Sequence, residues 1–169
     1  RSTLFPYTTL FRSPYRWIGH ASPYEFRDDY VPAASISRFL CGTPPVVGLM
    51  ALEEGIRQFD GVDFDKLLAK SQALCSLYID LMEQRCGESG FELVTPRDSA
   101  VRGSHVSFAH PDASVICDTL IERGVVGDFR APDVLRMGFT PLYTCYEDVW
   151  RAVETIEQVM SEHTFARTG

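Results

Sequence analysis

Two short stretches carry residue types suited to binding an anion. The first is Leu135-Arg136-Met137-Gly138. Read as a strand, it turns Leu135, Met137 and Phe139 to one face and Val134, Arg136 and Gly138 to the other. An arginine on the face away from a covering layer points into a cleft, where its planar fork suits a carboxylate. Gly138 leaves room beside it. The competing reading, which the strand pattern alone favours, is an exposed surface arginine. The second stretch is Gly42-Thr43-Pro44-Pro45, followed by an apolar helical pattern. Thr43 is a good N-cap residue, with Pro44 at the first helical position. Its hydroxyl then sits at the positive end of a helix, which favours a bound phosphate. The prolines carry no N–H, so the amides from Val46 onward must make any further contact. A plain helix cap is the simpler alternative.

Other reactive side chains give weaker signals. Trp17 stands beside Ile18-Gly19-His20 in a loop-like stretch, as a core plug or as a ligand platform. His20, His105, His110 and His163 show no metal-ligand spacing. His105 lies in a strand pattern and reads as a hydrogen-bonded structural histidine before it reads as a catalyst. Cys41 lies beside the Gly-Thr step and either lines a site or is a buried, inert thiol. Asp128 and Arg130 are placed to pair across the Gly127 turn, a structural role. There is no nucleophile elbow, no phosphate-binding P-loop and no dinucleotide fingerprint.

The elements that must position these residues follow from periodicity. Residues 44–58 are apolar nearly all round, which predicts a buried helix ended by Asp60-Gly61. Asp63 caps a second, longer helix to about Arg85. Its stripe is Phe64, Leu67, Leu68, Leu74, Cys75, Tyr78, Leu81 and Met82, with Gly87 as the stop. Beyond Gly90 the pattern changes. Residues 91–94 and 105–109 read as strands. Residues 111–123 form a helix with Val115, Ile116, Leu120 and Ile121 inward, stopped by Gly124. Residues 125–129 and 134–139 are further strands. Thr144-x-x-Glu147 is a capping box opening a last helix, whose apolar face is Val149, Trp150, Val153, Ile156 and Met160. This is a small α+β unit with helices covering one face of a sheet.

Composition narrows the function classes. The 169 residues suffice for one ordinary domain or pieces of two, and 45% hydrophobic content supports a core. Sixteen basic against 23 acidic residues give a net charge of −7 with no basic block, so no nucleic-acid partner is expected. The five cysteines, Cys41, Cys75, Cys86, Cys117 and Cys145, form no C-x-x-C pair, which indicates a reducing cytoplasmic setting, not a disulfide scaffold or zinc site. No apolar run is long enough for a membrane span. Residues 1–13 lack an initiator Met and a signal-peptide layout. They read as the translation of a sequencing-library adapter, a non-native segment, with the natural sequence starting near Pro14.

Several blocks in order make the chain resemble the C-terminal part of the kynureninases. They are Trp17-Ile18-Gly19-His20 and Arg38-Phe39-Leu40-Cys41-Gly42-Thr43-Pro44-Pro45, then Arg102-Gly103-Ser104-His105-Val106. Arg123-Gly124-Val125-Val126-Gly127-Asp128-Phe129-Arg130 follows, and Leu135-Arg136-Met137-Gly138-Phe139-Thr140-Pro141-Leu142-Tyr143 comes last. They run from about Tyr15 to Met160. The family consists of pyridoxal 5'-phosphate enzymes of the aspartate-aminotransferase fold type, fold type I, which are α/β overall. The resemblance implies hydrolysis of L-kynurenine, or its 3-hydroxy form, to an anthranilate and L-alanine, in tryptophan catabolism and NAD biosynthesis. It implies a homodimer with the site at the subunit interface. Trp17 would contact the cofactor phosphate, Thr43 the cofactor region, and Arg136 the substrate α-carboxylate.

The same resemblance implies what is missing. The family's Schiff-base lysine lies upstream of the tryptophan block, where the adapter-like segment stands here. Lys66 and Lys70 are no substitutes, so no catalytic residue is assigned and the fragment alone is expected to be inactive. The implied layout is an adapter-like segment at 1–13 and the end of the large cofactor domain at 14–60. A connector helix at 61–88 leads to a small α+β domain with a mainly antiparallel sheet at 89–162, then a tail at 163–169. The alternatives are another enzyme of this fold type, a class V aminotransferase or desulfurase-like protein, or a cofactor-free binding domain.

Overall fold

A computed structural model of the chain describes residues 17–25, 29–40 and 42–162. The expectations for residues 1–13, Cys41, His163 and the tail lie outside these. The chain divides into two compact units between Gly61 and Val62.

In the first unit, a 3-10 turn at Trp17–Gly19 and another at Ser35–Phe39 lie against each other. Gly19 explains how. A Cβ there would stand 2.2 Å from the Arg38 carbonyl oxygen, so only glycine permits the approach. The Gly19 carbonyl accepts from Ala33 N–H and from the Tyr30 hydroxyl. His20 closes the loop: its Nδ1 accepts from Ser22 N–H and its Nε2–H donates to the Asp29 carbonyl.

Helix α1 is Val46–Arg57, and its start differs from the sequence expectation. Pro45 is the N-cap, with φ −71° and ψ 88°, and no side chain caps the first turn. Thr43 is therefore two residues too early to cap the helix. A second proline at Pro45 holds the chain extended one step longer than Pro44 alone would. Burial also differs. Val46, Val47, Leu49, Met50, Leu52 and Ile56 are all exposed, Val47 by 82%.

The second unit contains the core. Helix α2, Phe64–Cys86, is capped as expected by Asp63, whose Oδ1 accepts from Asp65 and Lys66 N–H. It stops at Gly87, as the sequence predicts, but Gly87 keeps right-handed angles and leads into a 3-10 turn at Gly87–Ser89; the left-handed turn falls at Gly90, φ +83°. The first turn, with Phe64 and Leu68, is exposed, and burial begins at Ser71. The compact unit begins at Val62, so this helix is counted with the sheet and not apart from it.

Strands β1 (Glu92–Leu93), β2 (His105–Ala109), β3 (Asp128–Arg130) and β4 (Val134–Gly138) form one antiparallel sheet in the order β1-β2-β4-β3. Helix α3 is Ala113–Glu122 and α4 is Tyr146–Glu162. One face of the sheet turns Val106, Phe108, Leu135 and Met137 into the core, all at most 4% exposed. Against them lie Leu74, Tyr78 and Met82 of α2, Ile116 and Leu120 of α3, and Val149, Val153, Ile156 and Val159 of α4. The Tyr78 ring meets Phe108 edge-on at 5.9 Å and Phe139 at 5.1 Å.

Three sequence details shift by a residue or a face. Helix α3 turns Ala113 and Cys117 inward beside Ile116 and Leu120, and leaves Ile121 exposed. Its end is a Schellman turn, as Gly124 predicted: Val125 N–H donates to the Leu120 carbonyl and Gly124 N–H to that of Ile121. In α4, Val159 is buried and Trp150 lies half exposed under the Arg85 guanidinium, 4.9 Å from its ring. The capping box is one residue later than Thr144 and Glu147. Asp148 reaches back to accept from Cys145 N–H at 2.8 Å, and Glu147 pairs with Arg151 instead.

Candidate functional site: the bare face of the sheet

The helices cover one side of the sheet, and the other side forms an open cleft of ≈ 540 Å3. It is lined by His105, Val126, Gly127, Asp128, Arg136 and Gly138. Strand alternation puts Arg136 there, as the sequence predicts: Leu135 and Met137 are buried, while the Arg136 side chain is 33% exposed. The register assembles the rest. His105 stands opposite Gly138, Ser107 opposite Arg136 on β2, and Asp128 opposite Arg136 on β3.

Arg136 does not stand alone in the cleft. Its Nε–H donates to Asp128 Oδ1 at 2.9 Å and its Nη2–H to Asp128 Oδ2 at 2.5 Å. Asp128 Oδ2 also accepts from Arg130 Nη2 at 3.0 Å. The Asp128–Arg130 pair foreseen in the sequence is present, and it is the lesser half of a triad. These hydrogen bonds favour both charged forms. Arg136 first, then Arg130, holds the Asp128 carboxyl below its usual range, and Asp128 raises the Arg136 guanidinium.

Sequence reasoning missed the Asp128–Arg136 pair. The signal was available in principle, since two strands joined by a short turn place residues eight apart in register. It also missed how the Arg102-Gly103-Ser104-His105 block is held. Arg102 donates to the Arg97 carbonyl and to Ser76 Oγ on α2, and Ser104 Oγ bonds Ser71 Oγ at 2.7 Å. The Ser104 carbonyl accepts Phe139 N–H at 2.8 Å. The block is a strut from helix to sheet, and its end presents His105 to the cleft.

The remaining candidates are elsewhere. Trp17 begins the first 3-10 turn, and its side chain lies outside the described residues. Thr43 is exposed just ahead of α1. His110 is structural: its Nδ1 accepts from Asp112 N–H and its Nε2–H donates to the Ser89 carbonyl. Lys70 Nζ donates to the Pro141 carbonyl at 2.8 Å, and exposed Lys66 faces Asp63, so neither lines the cleft. Among the described residues no group of three His, Cys, Asp or Glu is placed to hold a metal, and no helix is long and apolar enough to cross a membrane.

A helix-backed antiparallel sheet with the Asp128–Arg136 pair on its bare face defines a small α+β domain. Residues 67–156, more than half of the chain, match the kynureninase C-terminal domain. The chain belongs to that family. It is 44% identical to the kynureninase of Pseudomonas fluorescens over 151 residues, which is 89% of this chain and 36% of the relative. It is equally identical to the kynureninases of Burkholderia mallei (strain SAVP1) and Burkholderia pseudomallei (strain K96243) over 144 residues, 85% of this chain and 35% of each. The chain thus spans about a third of the length of the curated relatives it matches.

Proposed function

We propose that this chain supplies the carboxylate-binding part of a kynureninase-type active site. The reaction is hydrolytic cleavage of L-kynurenine, or 3-hydroxykynurenine, to anthranilate, or 3-hydroxyanthranilate, and L-alanine. The observation that carries this is Arg136, anchored on the bare face of the domain that matches the family. A guanidinium offers two parallel N–H donors to a planar carboxylate, which fixes the orientation of an amino-acid substrate as well as holding it.

The cofactor implied is pyridoxal 5'-phosphate, which when bound supplies an electron sink for the substrate carbons. The residues present fit it only in part. The exposed Thr43 hydroxyl and the uncapped first turn of α1 are suited to a phosphate. Neither lysine is placed to anchor the group covalently, because Lys70 is engaged by a carbonyl and Lys66 is on the outside of α2. No catalytic step is therefore assigned to this chain. In this reading its residues bind and orient: Arg136 the substrate carboxylate, and Trp17 and Thr43 the cofactor. A second copy completes the site across a dimer interface. The free thiols of Cys75, Cys86, Cys117 and Cys145 support a reducing, cytoplasmic setting.

The test is substitution of Arg136 in a kynurenine-cleaving holoenzyme carrying this segment. Arg136→Ala is expected to lower kcat/KM by on the order of a hundredfold or more, because a buried carboxylate loses its partner. Arg136→Lys keeps the charge without the fork and recovers part of it. Cofactor content stays near normal. Full kcat/KM in Arg136→Ala would refute the assignment.

A further inference from the structure

Guanidinium has five N–H donors arranged along two usable edges. In Arg136 the side edge is occupied, Nε–H on Asp128 Oδ1 and one Nη2–H on Asp128 Oδ2. The end edge, Nη1 with the second Nη2–H, meets no partner among the described residues. Asp128 and Arg136 are directly paired across β3 and β4, so the backbone ladder fixes the distance between them. Arg130 touches the far side of the same carboxylate. One aspartate between two arginines leaves the triad with net positive charge.

We propose that Asp128 is a positioning residue, clamping the side edge of Arg136 so that its end edge is presented to a ligand carboxylate, while Arg130 restores the positive charge that Asp128 removes. This rests on the carboxylate-binding reading of Arg136. The geometry argues against the opposite role, in which Asp128 occupies the place of the ligand. A competitor would take the end edge, where a second bidentate partner fits; Asp128 takes the other edge and leaves that one open. An arginine side chain has several rotatable bonds, and a cross-strand clamp removes that freedom before the ligand arrives. Arg130 acts at a distance through its charge, so its effect weakens as salt is added.

The experiment titrates sodium acetate into the 169-residue chain against sodium chloride of equal ionic strength. The probe is the Arg136 Nε–Hε resonance, assigned by its loss in Arg136→Lys. Backbone amide spectra report that each variant is folded. Asp128→Ala is expected to weaken acetate binding about threefold to tenfold, the cost of ordering one long side chain on binding. Asp128→Asn keeps one acceptor oxygen and falls between it and wild type; it carries the test should Asp128→Ala fail to fold. Arg130→Gln weakens binding at low salt and loses that effect at high salt. Wild-type or tighter affinity in the Asp128 variants, with Arg136 still responding to acetate, overturns the positioning role alone. An Arg136 resonance that acetate leaves unmoved in wild type overturns the carboxylate reading, and this inference with it.

Discussion

Replacing Gly127 with alanine tests how tightly the wall of the cleft is built. A methyl group there would stand 2.6 Å from Met137 Sδ, 3.0 Å from Met137 Cε and 3.1 Å from the Arg136 carbonyl oxygen. Ordinary contact begins at 3.4 Å, so the sulfur must retreat by about 1 Å. Met137 is 4% exposed and has core side chains around it, so it cannot swing into solvent. Overpacking of this kind costs about 1–3 kcal/mol. The Arg136 carbonyl belongs to strand backbone and yields less, so part of the strain passes to β3. Asp128 is the next residue, and its carboxylate is drawn off Arg136. Urea denaturation is the assay: the midpoint falls while the m-value stays fixed. Met137→Ala alone costs about 2–5 kcal/mol by leaving a cavity. In the Gly127→Ala background the same truncation vacates the contested space, so the double variant loses less than the sum. A Gly127→Ala cost under about 0.5 kcal/mol, or strict additivity with Met137→Ala, would refute the reasoning.

Two further outcomes follow from named contacts. Asp148→Ala lowers the melting temperature, since its carboxylate caps α4 through Cys145 N–H, whereas Glu147→Ala, on the exposed surface with Arg151, barely moves it. That N–H, first among the causes, holds the Asp148 carboxyl below its ordinary 3.8. The stabilisation is therefore present above that value and is lost as pH falls through the depressed one, so wild type and Asp148→Ala converge in strong acid. Incubation with pyridoxal phosphate and borohydride, followed by mass mapping, should label neither Lys66 nor Lys70 stoichiometrically. One lysine labelled to completion would contradict the fit described above.

The parts of the fold legible in the sequence are those where one local rule decides. Period two alone separates Arg136 from Leu135 and Met137, and Asp63 and Gly124 mark helix ends by their own chemistry. What was illegible depended on choices between near-equal local rules or on distant partners. Thr144 with Glu147 and Cys145 with Asp148 both satisfy the capping-box spacing, and which acid reaches back is settled by the packing of α4. Thr43 and Pro44 look like a helix start until Pro45 is seen to keep the chain extended. An α1 apolar nearly all round predicts burial, but the pattern states only which side chains seek cover and not what provides it. The Asp128–Arg136 clamp depends on the register of β3 against β4, which no residue of either strand declares by itself.

The sheet order has a bearing on how this unit behaves at high concentration. Its outermost strands are its shortest, two residues in β1 and three in β3. They carry charge at Glu92, Asp128 and Arg130. Each rim therefore exposes only a brief row of backbone donors and acceptors, too short and too charged to template another strand. Fibre growth by edge-to-edge pairing is disfavoured on both sides. The adhesive surface lies instead on α1, with its exposed Val46, Val47, Leu49, Met50, Leu52 and Ile56. If this chain clumps in solution, it should do so through side chains and reversibly, without acquiring cross-β order.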